Sequence, residues 1–198
     1  MSARRTTLER ETNETRIRIS LDLDGEGNAR IETGVGFLDH MLELLARHSG
    51  LDLEVRASGD LHVDEHHVVE DVGIVLGKAL AEALGAKTGI ERYGWAIIPM
   101  DEVLVAVALD LGGRFAFVSD YGPQRSEVGD LPTELVSHFF QSVAFELRAN
   151  LHIKMLNPGQ NEHHRIEAIF KAFARALRNA VRFDEKMAGR VPSTKGVL

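Results

Sequence analysis

The chain carries the pattern Glu-His-His-x-x-Glu twice, and each copy opens an apolar-periodic stretch. The first copy is Glu65-His66-His67-Val68-Val69-Glu70; the second is Glu162-His163-His164-Arg165-Ile166-Glu167. Behind the first, Val69, Val72, Leu76, Ala79 and Ala83 recur at steps of three and four, as far as about Gly85. Behind the second, Ile169, Phe173, Ala176 and Ala180 do the same, as far as about Val181. That period belongs to amphipathic helices, and Asp64 and Asn161 stand where N-caps are expected.

The likeness extends upstream. A short strand-like run precedes each helix, Leu51 to Arg56 and Leu151 to Met155. A further helical segment precedes each strand, Phe37 to His48 in one case and about Thr133 to Asn150 in the other, the latter started by Pro132-Thr133. Each of these segments carries one histidine, His40 or His138. The separation from His40 to His66 is 26 and that from His138 to His163 is 25, a single-residue difference. The pattern is a tandem duplication with a first half at 1–90 and a second at 91–198, read as one compact unit. Each half begins with β-like material. Thr15 to Leu23 alternates, Ala29 to Thr33 is expected to pair with it, and Trp95 to Ile98, Val103 to Leu109 and Phe115 to Val118 are strand candidates. Runs of strands followed by strand–helix alternation predict an α+β fold with sheet packed against helices.

Composition removes several functions. The 198 residues include no Cys, which excludes disulfides, zinc–thiolate sites, iron–sulfur clusters and thiol nucleophiles. A formal net charge of −7 argues against a nucleic-acid partner. The longest apolar run, Val103 to Leu109, is too short to span a membrane. Met1 to Arg5 lacks the apolar stretch of a signal peptide, so a cytoplasmic protein is expected. Asp22-Leu23-Asp24-Gly25 resembles the start of a haloacid-dehalogenase phosphatase, but Glu26 stands where that motif has Thr or Val, and a hairpin turn is the better reading. Gly34-Val35-Gly36 before a helix could cradle an anion, or serve only as a strand-to-helix turn.

What remains is nine histidines. On a helix, residues i and i+4 share a face and i+1 lies about 100° away. His66 with Glu70, and His163 with Glu167, can therefore grip one ion, while His67 and His164 point elsewhere; pairing at i and i+3 is also open. With His40 and His138 the set becomes six imidazoles and two carboxylates, enough for two ions with three imidazoles and one carboxylate each. A lone His-His pair at an acidic helix start is ordinarily a solvated helix end. Two copies at matching positions favour ligands, because neighbouring buried histidines without partners are costly. Nitrogen and oxygen donors without sulfur fit Mn, Fe, Co, Ni or Zn, and positions left open in an octahedral site favour Mn or Fe. His48, His62 and His152 have no required role. Cations are scattered, at Arg92, Arg114, Lys171 and a tail running Pro192-Ser193-Thr194-Lys195-Gly196.

Gly36-Phe37-Leu38-Asp39-His40-Met41-Leu42, Asp64 to Asp71, His138-Phe139-Phe140, Glu162 to Ala172 and the tail Pro192 to Gly196 together resemble the imidazoleglycerol-phosphate dehydratase family. The resemblance implies a duplicated α+β fold like the second domain of a small-subunit ribosomal protein. It implies two Mn2+ per active site and a 24-subunit octahedral assembly with sites between subunits. Its implied metal ligands are His40, His66, His67, Glu70, His138, His163, His164 and Glu167. Its implied substrate contacts are Glu14, Arg92, Arg114, Lys171, Ser193 and Lys195. Many relatives have Gln where Leu44 stands, which places one phosphate-side hydrogen bond in question. The implied reaction is dehydration of imidazole glycerol phosphate to imidazole acetol phosphate in histidine biosynthesis, through an imidazolate and a diazafulvene-like intermediate. Glu14 is the acid/base candidate, since metal does not use its carboxylate, with a metal-bound hydroxide or one of the ligand carboxylates, Glu70 or Glu167, as the rival. Two other classes stay open on the residues alone. A metal-dependent hydrolase would need ions roughly 4 Å apart around a bridging hydroxide, and a metal-storing shell protein would show no turnover.

Overall fold

The computed structural model describes residues 4–196. The first half runs β1 (Arg5–Glu11), β2 (Thr15–Asp22), β3 (Ala29–Glu32), α1 (Gly36–Ser49), β4 (Asp52–Gly59) and α2 (His66–Leu84). The second runs β5 (Tyr93–Met100), β6 (Val103–Asp110), β7 (Ala116–Ser119), a small hairpin of β8 (Glu127–Val128) and β9 (Leu131–Pro132), α3 (Glu134–Leu147), β10 (Asn150–Asn157) and α4 (Glu162–Val181). Each half builds a four-stranded sheet of the same plan, ordered β1-β2-β4-β3 and β5-β6-β10-β7. In each, the edge strand β3 or β7 is parallel to its neighbour β4 or β10 and connects to it through a helix, whereas the other pairs are antiparallel. The duplication is thus physical: two copies of one strand–helix unit, the second interrupted by the β8–β9 hairpin.

Local chemistry accounts for the elements. In β2, Thr15, Ile17, Ile19 and Leu21 are buried while Arg16 and Arg18 are exposed, the period-two pattern of a half-buried strand. In α4 the buried stripe is Ile166, Ile169, Phe170, Phe173, Ala176, Leu177 and Ala180, the face that periodicity predicts. Phe139 and Phe140 of α3 meet Phe170 and Phe173 of α4 at ring separations of 4.7 to 5.5 Å, within the range of favourable aromatic pairs. The helices lie on the inner faces of the sheets, and they pair across the halves: α1 packs on α4 and α2 on α3. The α2–α3 crossing is close because α2 presents Gly73 and Gly77. A Cβ on Gly77 would sit 2.6 Å from the Val143 carbonyl oxygen, and one on Gly73 2.9 Å from that of Phe139.

Several expectations are corrected. The strand β1 was not anticipated, because its alternation is between exposed and half-buried residues rather than polar and apolar ones. Strand β3 pairs with β4, not with β2. Residues 24–28 are therefore not a hairpin turn: β4 lies between β2 and β3, and the connection passes over its end. Asp52 at the start of β4 holds that connection, accepting the amides of Glu26 at 3.0 Å and Asn28 at 2.8 Å. Pro132 lies in β9, so α3 starts after Thr133. The hairpin turn bears Asp130, whose carboxylate accepts the amides of Gly36 at 2.6 Å and Phe37 at 2.9 Å. The helix N-terminus offered as an anion cradle is thereby taken by a side chain from the other half.

Candidate metal centre

Four helix starts carry the donors. Asp64 Oδ1 accepts the His66 amide at 2.8 Å, and Asn161 Oδ1 accepts the His163 amide at 3.0 Å, although Asn161 is the N-cap of α4 whereas α2 starts one residue later, with Glu65 rather than Asp64 in the N-cap place. Among the described residues, three groups place one donor atom from each member within 4.8 Å of the others: Asp101, Glu102 and His164, and two that draw on both halves, His66, Glu70 and His138, and His40, His163 and Glu167. The pairing crosses the halves, following the helix packing. The lone histidine of α3 joins the pair on α2, and the lone histidine of α1 joins the pair on α4.

In the first cluster the His66 and His138 rings meet edge to face with centroids 4.6 Å apart, and His138 Nδ1 lies 3.9 Å from Glu70 Oε1. That Nδ1 is buried and has no hydrogen-bond partner, which is expensive unless something binds there. In the second, His163 Nε2 is 3.0 Å from Glu167 Oε2, and the His40 and His163 centroids are 5.9 Å apart. Phe37 abuts the His163 ring edge-on at 5.0 Å. Burial works against the charge on Glu167, but Lys171 Nζ at 2.5 Å and then His163 outweigh it, holding the carboxyl below its ordinary range. Two imidazoles and an ionisable carboxylate in so small a volume suit a divalent transition ion, so the residues fit the group that the resemblance implies.

His67 and His164 stand apart from these two clusters. His67 Nδ1 faces both oxygens of Asp60 at 3.1 Å, and that hydrogen bond raises the affinity of the imidazole for its proton. Its Nε2 lies 3.8 Å from Glu14 Oε2, and Glu14 is exposed in the β1–β2 turn. His164 Nδ1 faces Glu102 Oε2 at 3.1 Å, and Asp101 Oδ2 lies 3.6 Å from its Nε2. Glu102 is held down to about 2, first by the Asn161 amide and then by His164. Asp60, Asp101 and Glu102 were not singled out from the sequence; each is one acidic residue among 30 Asp and Glu, without a local signature.

The remaining candidates lie elsewhere in the chain. Arg92, just before β5, makes a bidentate pair with Asp110 at 2.7 and 3.1 Å and donates to the Pro192 carbonyl at 2.8 Å. Asp101 and Glu102 lie at the far end of the same strand, about 25 Å away for eight residues. Arg114 precedes β7, and its carbonyl accepts from Asn150. Ser193 Oγ accepts the Lys195 amide at 3.2 Å in the tail. Leu44 is half-buried against the core of α1. His62 and His152 are exposed, and His48 is half-buried, its proton affinity lowered by burial and then by Lys171. The hollow beneath Arg4, Glu82 and Phe183, about 570 Å³, contains none of the donors.

A model of the imidazoleglycerol-phosphate dehydratase family matches residues 33–177, which contain both clusters. The chain belongs to the imidazoleglycerol-phosphate dehydratase family. It is 55% identical over 195 residues to the imidazoleglycerol-phosphate dehydratase of Chloroflexus aurantiacus, covering 98% of this chain and 95% of that one. It is 50% identical over 198 residues, the whole of both chains, to that of Pseudomonas aeruginosa. The crystal structure of the Staphylococcus aureus dehydratase superimposes with a TM-score of 0.83 at 42% identity, covering 91% of this chain and 99% of that one. The Pyrococcus furiosus structure, in complex with (S)-C348, gives 0.82 at 40% identity, with coverage of 96% and 100%. Membership makes this chain a carbon–oxygen lyase, on the duplicated α+β fold that the sequence predicts.

Proposed function

We propose that this chain dehydrates imidazole glycerol phosphate to imidazole acetol phosphate in histidine biosynthesis, in the cytoplasm, with two Mn2+ per active site. The observation that carries this reading is the matched pair of cross-half clusters, one of which leaves His138 Nδ1 buried and unpartnered. His66, Glu70 and His138 would hold one ion, and His40, His163 and Glu167 the other. Divalent cations held there would supply Lewis acidity that lowers the N–H pKa of a bound imidazole and favours loss of the hydroxyl next to the ring. Glu14 then acts as acid/base on the side chain: its carboxylate lies outside both clusters, is exposed and sits beside His67. Loss of water through a diazafulvene-like intermediate and removal of the side-chain proton give the enol of the product. Arg92, Arg114, Lys171, Ser193 and Lys195 orient the phosphate, Arg by bidentate contact.

Such a site requires more than one copy of the chain. Arg92 stands about 25 Å along β5 from the end that faces His164. His67 and His164 turn away from the clusters of their own chain, as ligands destined for a neighbour would. The outer face of the second sheet exposes Tyr93, Trp95, Ile97 and Val118 by 51 to 68%, an apolar surface that self-association would cover. The first sheet instead lines its outer face with Glu9, Arg18, Arg56 and Glu32. These features support self-association with sites between subunits, for which the family resemblance implies 24 copies, and in which the halves 1–90 and 91–198 act as one unit. Manganese-loaded protein is expected to turn over imidazole glycerol phosphate; manganese uptake without turnover would point to metal storage and overturn the reading.

A further inference from the structure

Strand register makes Glu102 the counterpart of Glu14. In the first sheet Leu21 pairs with Leu53, and in the second Leu109 pairs with Leu151, each one residue into its strand, β4 or β10. Counting back along β2 and β6 places Thr15 on Val103, and therefore Glu14 on Glu102. The two carboxylates have opposite surroundings. Glu14 is exposed, and its Oε2 lies 3.8 Å from His67 Nε2. Both oxygens of Glu102 are engaged: Oε1 accepts the amides of Gln160 at 3.2 Å and Asn161 at 3.0 Å, and Oε2 faces His164 Nδ1 at 3.1 Å.

A carboxylate oxygen only accepts, so His164 carries its proton on Nδ1 and leaves a lone pair on Nε2. An independent contact agrees. Asn161 Oδ1 accepts the His163 amide, which turns the Asn161 NH2 toward His164 Nε2 at 3.4 Å, so Nε2 is the acceptor there too. In the first half the same task falls to Asp60, which faces His67 Nδ1 with both oxygens. Asp101, Glu102 and His164 could be taken for a third ion site, but both Glu102 oxygens already serve as acceptors, so an ion there would compete with the bonds from Gln160, Asn161 and His164.

We infer that Glu102 and Asp60 are positioning residues that fix the tautomers of His164 and His67, aiming each Nε2 lone pair outward as a ligand for an ion shared with a second copy of the chain. The inference rests on the metal reading above and deepens it. The duplication has divided the labour of one ancestral position, leaving Glu14 free for proton transfer and binding Glu102 to ligand orientation.

The two positions respond differently to the same chemical change. Glu102 needs two acceptor oxygens and glutamine has one. In Glu102→Gln the carbonyl that keeps the amides of Gln160 and Asn161 leaves an NH2 facing Nδ1, which moves the His164 proton to Nε2 and blocks ligation. His67 needs one acceptor, so Asp60→Asn retains the bond through its carbonyl, whereas Asp60→Ala loses it. Manganese titration followed by the electron paramagnetic resonance of free Mn2+ reads this out. Glu102→Gln and Asp60→Ala should each weaken uptake about 10- to 100-fold, the usual effect of removing a carboxylate behind a ligating histidine. Asp60→Asn should stay within a few-fold of wild type.

Nitrogen NMR of histidine-labelled, metal-free wild-type protein, at a pH where imidazole is neutral, should show His164 protonated on Nδ1. That measurement stands even if a variant fails to fold. Wild-type protein that takes up no manganese overturns the metal reading on which the inference rests. Wild-type uptake matched by Glu102→Gln, or a His164 proton on Nε2 in wild type, overturns the inference alone.

Discussion

Glu14 and Lys171 show how much a side chain's task depends on its immediate partners. Lys171 stands one turn beyond Glu167 on α4, and its ammonium keeps that carboxylate ionised at the edge of a cluster where an ion would need it charged. On the proposed chemistry Lys171 serves the phosphate as well. Glu14 remains exposed beside His67, which suits a group that must both accept and return a proton. Glu14→Gln should leave manganese content unchanged and lower turnover by at least about 100-fold; elemental analysis beside a dehydration assay checks both halves of that statement, and retained activity removes Glu14 from the mechanism. The reading of His66 with Glu70 as an i, i+4 pair was available in the sequence because it is local: helical geometry alone puts them on one face. Asp60 and Glu102 were not available, because only folding brings a loop carboxylate to a particular imidazole nitrogen.

At the scale of elements, the position of each cluster depends on where two helices cross. The α2–α3 crossing sets His138 against His66 and Glu70, and it relies on Gly73 and Gly77 admitting the backbone of α3. Gly77→Ala would place a methyl group 2.6 Å from a carbonyl oxygen, so a loss of about 1–3 kcal/mol is expected in urea unfolding, together with weaker manganese uptake at that cluster. The start of α1, one turn before His40, is held by Asp130 of the β8–β9 hairpin. Asp130→Ala should cost about 1 kcal/mol, as for other lost helix caps. The sign with pH follows from its proton affinity. Burial raises the Asp130 pKa, but the Phe37 and Gly36 amides lower it more. A carboxyl depressed on folding contributes stability above its ordinary pKa and loses it as pH falls through the depressed value. The gap between wild type and Asp130→Ala should therefore be full at neutral pH and close in acid; a gap that widens in acid would contradict the assignment. This hairpin was not foreseen, since two-residue strands leave no periodicity to read.

For the whole molecule, the proposed ligands couple metal binding to assembly. If His67 and His164 ligate ions of a neighbouring chain, then chelation of the metal, or His67→Ala and His164→Ala, should lower both manganese content and particle mass. Light scattering that finds a stable, active monomer would exclude sites between subunits. The tail meets the rest of the chain where the Pro192 carbonyl accepts from Arg92. Truncation after Val191 should raise KM roughly tenfold or more if Ser193 and Lys195 hold phosphate, as expected for the loss of a charge-assisted hydrogen bond. An unchanged KM would free both residues of that role.

The sequence by itself determined the duplication, the α+β class and the local His–Glu pairings, because each rests on short-range regularity: a period of two or of three to four, and a histidine four residues before a glutamate. Tertiary structure alone decided that β4 inserts between β2 and β3, turning an expected hairpin at residues 24–28 into a crossing. It alone decided that each lone histidine joins the helix of the opposite half, through α1 on α4 and α2 on α3. The physical reason is the same in both cases. A repeated pattern specifies two identical amphipathic units, but which apolar face covers which is set by long-range packing of whole helices. No local period encodes that choice.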